Sequence, residues 1–381
     1  MNQVSAFGQA GSNNSAQEVE MIESDLFSAI NDKVNESLKS RGKVNILIAG
    51  KTGVGKSTLI NAVFQGNLAQ TGQGRPVTTQ TREITKEGIP VSIFDTRGLE
   101  IAEYKETIGG LAAFIAERNS DTYPMKHVHI AWVCISEGSR RVEDAEIALV
   151  SELARFVPII GVITQAQSDR GFKNEVISII PQVRNAIRVR ALEEQLDSGH
   201  VIPVMGLEDL IDLTMDLVPE GQKNAMAAAQ KISIKHKKER ATKIVAGAAA
   251  SAATVALSPI PFSDAALLAP IQVGMLAGVS SAFGLPVSKA FLYTLISGSF
   301  SAVAGSIGGR ALVASAMKFI PGVGTVAGGM IAAGVASTLT TTFGMAYISV
   351  LVKLMESNPD RLPSAEEIAA SFKSTLKSQA G

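Results

Sequence analysis

Gly50-Lys51-Thr52-Gly53-Val54-Gly55-Lys56-Ser57 decides how this chain is read. It matches G-x-x-x-x-G-K-[ST], a turn whose glycines let successive backbone N–H groups curl around phosphate oxygens in conformations that a Cβ would block. Val44, Ile46, Leu47, Ile48 and Ala49 before it form an apolar run suited to a buried parallel strand. Thr58-Leu59-Ile60-Asn61-Ala62-Val63 after it opens a helix whose positive N-terminus faces the same anion. The spacing gives the backbone from Gly50 to Thr58 to a nucleotide's phosphates, the Lys56 ammonium to the β/γ oxygens and the Ser57 hydroxyl to Mg2+.

The next apolar strand, Val91, Ile93 and Phe94, runs into Asp95-Thr96-Arg97-Gly98. A carboxylate ending a strand beside a phosphate loop can hold the water shell of a metal, which makes Asp95 the second metal candidate. Gly98 can offer its N–H to a γ-phosphate. Further on, Pro158-Ile159-Ile160-Gly161-Val162-Ile163 reads as another buried strand, followed by Thr164-Gln165-Ala166-Gln167. His127, His129, His200 and Cys134 make no metal set, and Trp132 and Cys134 read as core residues of a strand over His129–Ile135.

Together these motifs resemble a translation-factor-class GTPase. Asp95-Thr96-Arg97-Gly98-Leu99 is similar to the D-T-x-G-hydrophobic stretch of its Era-like, dynamin-like and immunity-related branches. The charge-poor C-terminal part, with Ser258–Ala265 and Phe319–Gly324, resembles an uncharacterised hydrophobic domain found behind such GTPases in bacteria. The resemblance spans residues 43–352 and implies GTP/GDP and Mg2+ as ligands. It implies that Thr78 or Thr79, in the polar stretch Gly72–Thr81, supplies a switch hydroxyl to the metal, with Thr79 slightly favoured and a plain connecting loop as the other reading. Lys56, Thr79 and Arg97 are then the candidate catalytic residues.

Two departures from the family pattern matter. The base-reading motif [NT]-K-x-D is matched by Thr164, but Gln165 replaces its Lys and Gln167 its Asp. A neutral amide accepts one hydrogen bond from a guanine edge and offers donors the edge does not want. Asp169, two residues late, is the substitute acceptor if the loop bulges; otherwise base choice is relaxed or ATP is used. Leu99 stands where Ras-like proteins keep a water-orienting Gln, so slow hydrolysis is expected unless Arg97, Lys51 or a second subunit assists. The last strand of such a domain is expected at Val201-Ile202-Pro203-Val204, with the turn Met205-Gly206 near the base.

Composition sets the outer limits. Lys+Arg and Asp+Glu both number 35 in 381 residues, so no global basic excess marks a nucleic-acid binder, and none is expected as a partner. One cysteine excludes a disulfide framework and fits a reducing compartment. Charged residues are only 18%. The deficit is local: between Val245 and Val352 the charges are Asp264, Lys289, Arg310 and Lys318. The charge-free stretches 265–288, 290–309 and 319–352 match or exceed the ~20 residues that cross a bilayer as a helix, although Ala, Gly and Ser dominate them. Gly324 and Gly328 have the spacing that lets helices touch in lipid; a tightly packed soluble all-α domain is the alternative. Ahead of this region Lys231–Lys243 carries six Lys/Arg against one Glu. Such a cluster favours the cytoplasmic side and anionic lipid.

The expected architecture is a disordered tail at 1–17, without a secretory signal, and an amphipathic helix at 18–40. An α/β P-loop domain follows at 41–220 with helices on both sheet faces. Then come a basic linker helix at 221–243, an all-α membrane-embedded or membrane-apposed domain at 244–353, and a polar tail at 354–381 with a short helix. The expected function is a nucleotide switch, GTP-bound and slowly hydrolysing, that controls membrane association or self-assembly into a homo-oligomer. A scaffold or inserting protein that holds nucleotide only as a structural ligand is the rival.

Overall fold

The computed structural model describes residues 32, 35–37, 39, 41–71, 73–76, 81–96, 104–183, 185–256, 264–300, 333–359 and 361–380. The tail expected at 1–17, most of the helix expected at 18–40, and Gly324 and Gly328 lie outside them. The chain divides into two compact units, Arg41–Ile234 and Met1–Ser40 with Lys235–Gly381.

The first unit runs β1 (Val44–Gly50), α1 (Lys56–Val63), α2 (Leu68–Thr71), β2 (Gln73–Pro76), β3 (Thr81–Thr85), β4 (Val91–Thr96) and α3 (Tyr104–Asn119). It continues with β5 (Ile130–Ser136), α4 (Asp144–Leu153), β6 (Ile159–Thr164), α5 (Phe172–Ile179), β7 (Asn185–Arg188), β8 (Glu194–Gln195), β9 (Val201–Ile202), α6 (Leu207–Leu217) and α7 (Glu220–Ala229). Seven strands form one sheet in the order β2-β3-β4-β1-β5-β6-β7. The pairs from β4 to β7 are parallel, and β2–β3 and β3–β4 are antiparallel.

β1 explains the two-layer cover. Its side chains alternate between faces, so Ile46 and Ile48 join one apolar cluster and Leu47 and Ala49 the other. The first cluster takes in Leu59 of α1, Leu210 and Ile211 of α6 and Met226 of α7. The second takes in Leu111 and Phe114 of α3, Leu149 of α4 and Val176 of α5. A central strand buried on both faces has no room for the polar alternation of an exposed sheet, hence its unbroken apolar run.

Two elements differ from the sequence reading. The last strand of the sheet is β7, and the segment expected to fill that role pairs as β9 with β8 in a separate hairpin. Pro203 has no N–H to continue a ladder, and Val201 and Val204 are exposed. The stretch expected as one basic helix over 221–243 is two. α7 lies in the sheet core, with Ala225 to Ala229 buried. It ends where the Gln230 side chain accepts the N–H groups of Ile232 and Ser233, both at 2.7 Å.

The second unit is helical: α8 (Ile234–Ala256), α9 (Asp264–Ala282), α10 (Lys289–Phe300), α11 (Ala333–Ser357) and α12 (Ala365–Ala380). Small residues allow close approach here as they do in lipid. A Cβ on Gly344 of α11 would lie 2.6 Å from a Val245 methyl of α8 and 2.8 Å from Met275 Sδ of α9. Phe343 and Tyr347 both pack on Phe372 with tilted rings, at centroid separations of 5.0 and 5.2 Å. The Tyr347 hydroxyl meets Ser280 Oγ at 2.7 Å, which satisfies both buried polar groups. Among the described residues one helix is long and apolar enough to cross a bilayer, Gly334–Ser357 with mean hydropathy 1.5; 56% of its apolar window is buried inside the unit.

Candidate functional site

The phosphate loop joins β1 to α1 and is shaped by its glycines. Gly53 and Gly55 hold φ of 80° and 93°, and no atom lies within 4 Å of where a Cβ would stand. The space that a Cβ would fill is therefore open at both positions. Gly50 is different: a Cβ there would strike the carbonyl oxygen of Cys134, its partner in β5. Lys56, in the first turn of α1, folds back so that its ammonium donates to the carbonyls of Gly50 at 2.7 Å and Lys51 at 2.9 Å. Burial lowers this ammonium below the usual lysine range, and Asp95 pulls the other way. Ser57 is exposed beside it. Lys51 is ion-paired with Glu143 at the N-terminus of α4.

Asp95 lies near the end of β4, in register with Ile48. Its Oδ2 is 3.5 Å from the Arg82 guanidinium, while its Oδ1 is buried with no hydrogen-bond partner. Burial raises its carboxyl above the ordinary range; Lys56 and Arg82 offset part of that. An orphaned carboxylate oxygen within the field of Lys56, with the Ser57 hydroxyl across the loop, is a hard oxygen donor set of the kind Mg2+ takes. The Cys134 thiol, pushed up to about 12 by burial, stays protonated and takes no part in such a set. Thr78, Thr79, Arg97, Gly98 and Leu99 lie outside the described residues.

A cavity of about 680 Å³ is lined by Gly55 and Thr58, from the phosphate loop and α1, together with Thr164, Gln165, Gln167 and Glu194. Thr164 is buried, with its hydroxyl donated to the Ile135 carbonyl at 3.2 Å. Gln165 adopts a left-handed φ of 53°. Its amide then spans two motifs: Nε2 donates to Gly53 O at 3.2 Å, and Oε1 accepts the Ser136 hydroxyl at 2.7 Å. Asp169 does not supply the missing base acceptor. Its Oδ1 accepts the Lys173 N–H at 2.9 Å, at the start of α5. His129 is structural: Nδ1 accepts the Asn45 N–H at 2.9 Å.

The residue that sequence reasoning missed is Glu137. Only 1% exposed, it accepts Arg188 Nε at 2.6 Å and the backbone N–H groups of Gln167 at 2.5 Å and Ser168 at 2.7 Å. Burial opposes its charge, but these hydrogen bonds more than offset that and hold its carboxyl below the usual range. The stabilisation is thus complete above the unfolded value, about 4.5, and is lost as pH falls through the lower folded value. Glu137→Gln sets an amide donor against either Arg188 or the two N–H groups, and leaves Arg188 only its longer pair with Asp169 at 3.7 Å. A loss of about 3 kcal/mol at pH 7 is expected, shrinking toward pH 3, as urea titrations at both pH values would show. Equal losses at both would exclude the role of this charge.

Comparison with known proteins agrees with this geometry. Residues 45–165 match the family described as 50S ribosome-binding GTPase, and residues 221–378 match a domain of unknown function, DUF697. Mouse Septin-14 is 27% identical over 171 residues, which cover 38% of this chain and 40% of that protein. The tRNA modification GTPase MnmE of Alkaliphilus oremlandii is 26% identical over 203 residues, 52% of this chain and 39% of that protein. The chain thus spans about two fifths of the length of these relatives. Among solved structures, a probable GTP-binding protein engB aligns at 16% identity with a TM-score of 0.31, over 46% of this chain and 98% of that one. The chain carries a GTP-binding P-loop GTPase domain, followed by a DUF697 domain in its helical C-terminal region.

Proposed function

We propose that this chain binds GTP with Mg2+, hydrolyses it slowly, and uses the presence of the γ-phosphate to control its helical domain at an anionic, cytoplasmic membrane surface. The observation that carries the nucleotide part is the Lys56 ammonium, held on its own loop's carbonyls beside the unpartnered oxygen of Asp95. On binding, Lys56 exchanges those carbonyls for the β/γ-phosphate oxygens, and the loop N–H groups and the α1 N-terminus take the rest of the charge. Ser57, Asp95 and a hydroxyl from Thr78 or Thr79 would hold the metal, which when bound neutralises charge on those oxygens. Gly98 offers its N–H to the γ-phosphate.

Slow turnover follows from Leu99, which cannot orient water. Arg97, or Lys51 once released from Glu143, is the donor within the chain; a second copy is the donor outside it. Placement in the Era-like or dynamin-like branch rests on Asp95-Thr96-Arg97-Gly98-Leu99.

The membrane part draws on two features. Lys231, Lys235, Lys238 and Lys243 are exposed, and Gly334–Ser357 is apolar over a bilayer's length. Lys237 adds nothing to that surface, because it is buried, with its ammonium lowered to about 7 by burial. The test is co-sedimentation of the full chain with phosphatidylglycerol vesicles. A pelleted fraction several-fold higher with a non-hydrolysable GTP analogue than with GDP is expected. Equal fractions, or pelleting unchanged on neutral vesicles, would contradict the membrane switch and leave the nucleotide site standing.

A further inference from the structure

We propose that Glu194, carried on the β8–β9 hairpin, is the carboxylate that reads the guanine edge in place of the acid missing at Gln167, and that Gln167 holds it at the cavity until the base takes its place. The inference rests on the cavity being the nucleotide's base site. A guanine edge presents two donors side by side, N1–H and the 2-amino group, and asks for two acceptors. Gln167 alone meets that edge badly, because its Nε2 is a donor.

The structure turns that donor away from the cavity's need. Gln167 Nε2 bonds both oxygens of Glu194, at 2.7 and 2.9 Å. That amide spans the two oxygens on the face that guanine's two adjacent donors need, so the base takes the face by displacing it, as the phosphates displace the loop carbonyls from Lys56. Arg140, Arg170 and Arg190 line the same cavity, but no ion pair within 4.0 Å engages Glu194 among the described residues.

Both partners are held in place. The backbone N–H of Gln167 is fixed by buried Glu137. The hairpin is fixed by pairing of Glu194 with Ile202 and by the Arg190–Met205 bridge, with Arg190 donating to the Pro203 carbonyl at 2.6 Å. The motif's acid is thus displaced by 27 positions in sequence (167 to 194) and restored in space. An adenine edge presents an acceptor at N1, which a carboxylate repels, so the same arrangement selects against ATP.

The test is equilibrium titration of the full chain, with Mg2+, against GDP, ADP and XDP. The parent protein is expected to prefer GDP over ADP. Glu194→Gln converts one acceptor into a donor. It is expected to bind GDP about 30-fold more weakly and to gain affinity for XDP, whose base carries a carbonyl where guanine has its amino group. Gln167→Leu leaves the carboxylate and removes only the amide that the base displaces, so GDP binding within about five-fold of the parent is expected, without any gain for XDP. Gain for a new base cannot come from a variant that fails to fold. GDP binding within two-fold of the parent in Glu194→Gln, or a loss with no gain for XDP, overturns the proposal. Failure of the parent to bind any of the three overturns the nucleotide reading beneath it, a separate result.

Discussion

Lys56→Ala is expected to weaken GTP binding by about a thousand-fold or more while leaving the fold intact. The ammonium makes two or more charge-assisted hydrogen bonds to a phosphate chain, each worth about 1.5–3 kcal/mol, and about 4 kcal/mol is a factor of a thousand. Without ligand the same group is bonded to two loop carbonyls, of Gly50 and Lys51, and water can replace it there. The two states therefore respond differently. Calorimetric titration should lose its GTP signal, and the melting temperature without nucleotide should move by no more than about 3 °C. The parent should gain stability with GTP and the variant should not. A variant that retains affinity would mean that the loop is a structural turn.

Gly206→Ala should be the costliest added methyl among the described glycines of the first unit. Gly206 holds φ at 72°, and a Cβ there would enter the carbonyl oxygen of Arg188 in β7. Both atoms belong to backbone that cannot swing aside: Arg188 is in the sheet, and Gly206 starts α6 directly after the Arg190–Met205 bridge. The left-handed conformation alone costs about 1 kcal/mol; the collision should bring the total to about 4 kcal/mol. Gly53→Ala is the control, with a similar φ of 80° but open space around it. It should cost only the conformational part in stability while still crowding a phosphate. Urea unfolding of the two variants separates strain from collision, and equal losses would remove the collision from the account.

The phosphate loop, β1, β4 and β6 were legible because their signals are local. A glycine pattern between an apolar run and a helix needs no distant residue to be understood, and strands buried on both faces announce themselves as continuous apolar stretches. What escaped depends on partners far away in sequence. β7 has two apolar residues, Ala186 and Ile187, between polar ends, too few for a period, and becomes a strand only through its ladder to β6. Ala225 to Ala229 read as a linker because alanine is indifferent to burial until a sheet is laid against it. Glu137 looks like any loop acid until Arg188 and the amides of Gln167 and Ser168 converge on it. The degenerate Thr164-Gln165-Ala166-Gln167 shows that an acceptor is missing, and no spacing rule could point to Glu194 as its neighbour.

The measurement that bears most directly on the central claim is titration of the full chain with GTP and with ATP, each with Mg2+ and with EDTA. The account predicts one site per chain, GTP bound more tightly than ATP, and affinity reduced when the metal is removed. Protein that takes up neither nucleotide in the presence of Mg2+ would contradict it.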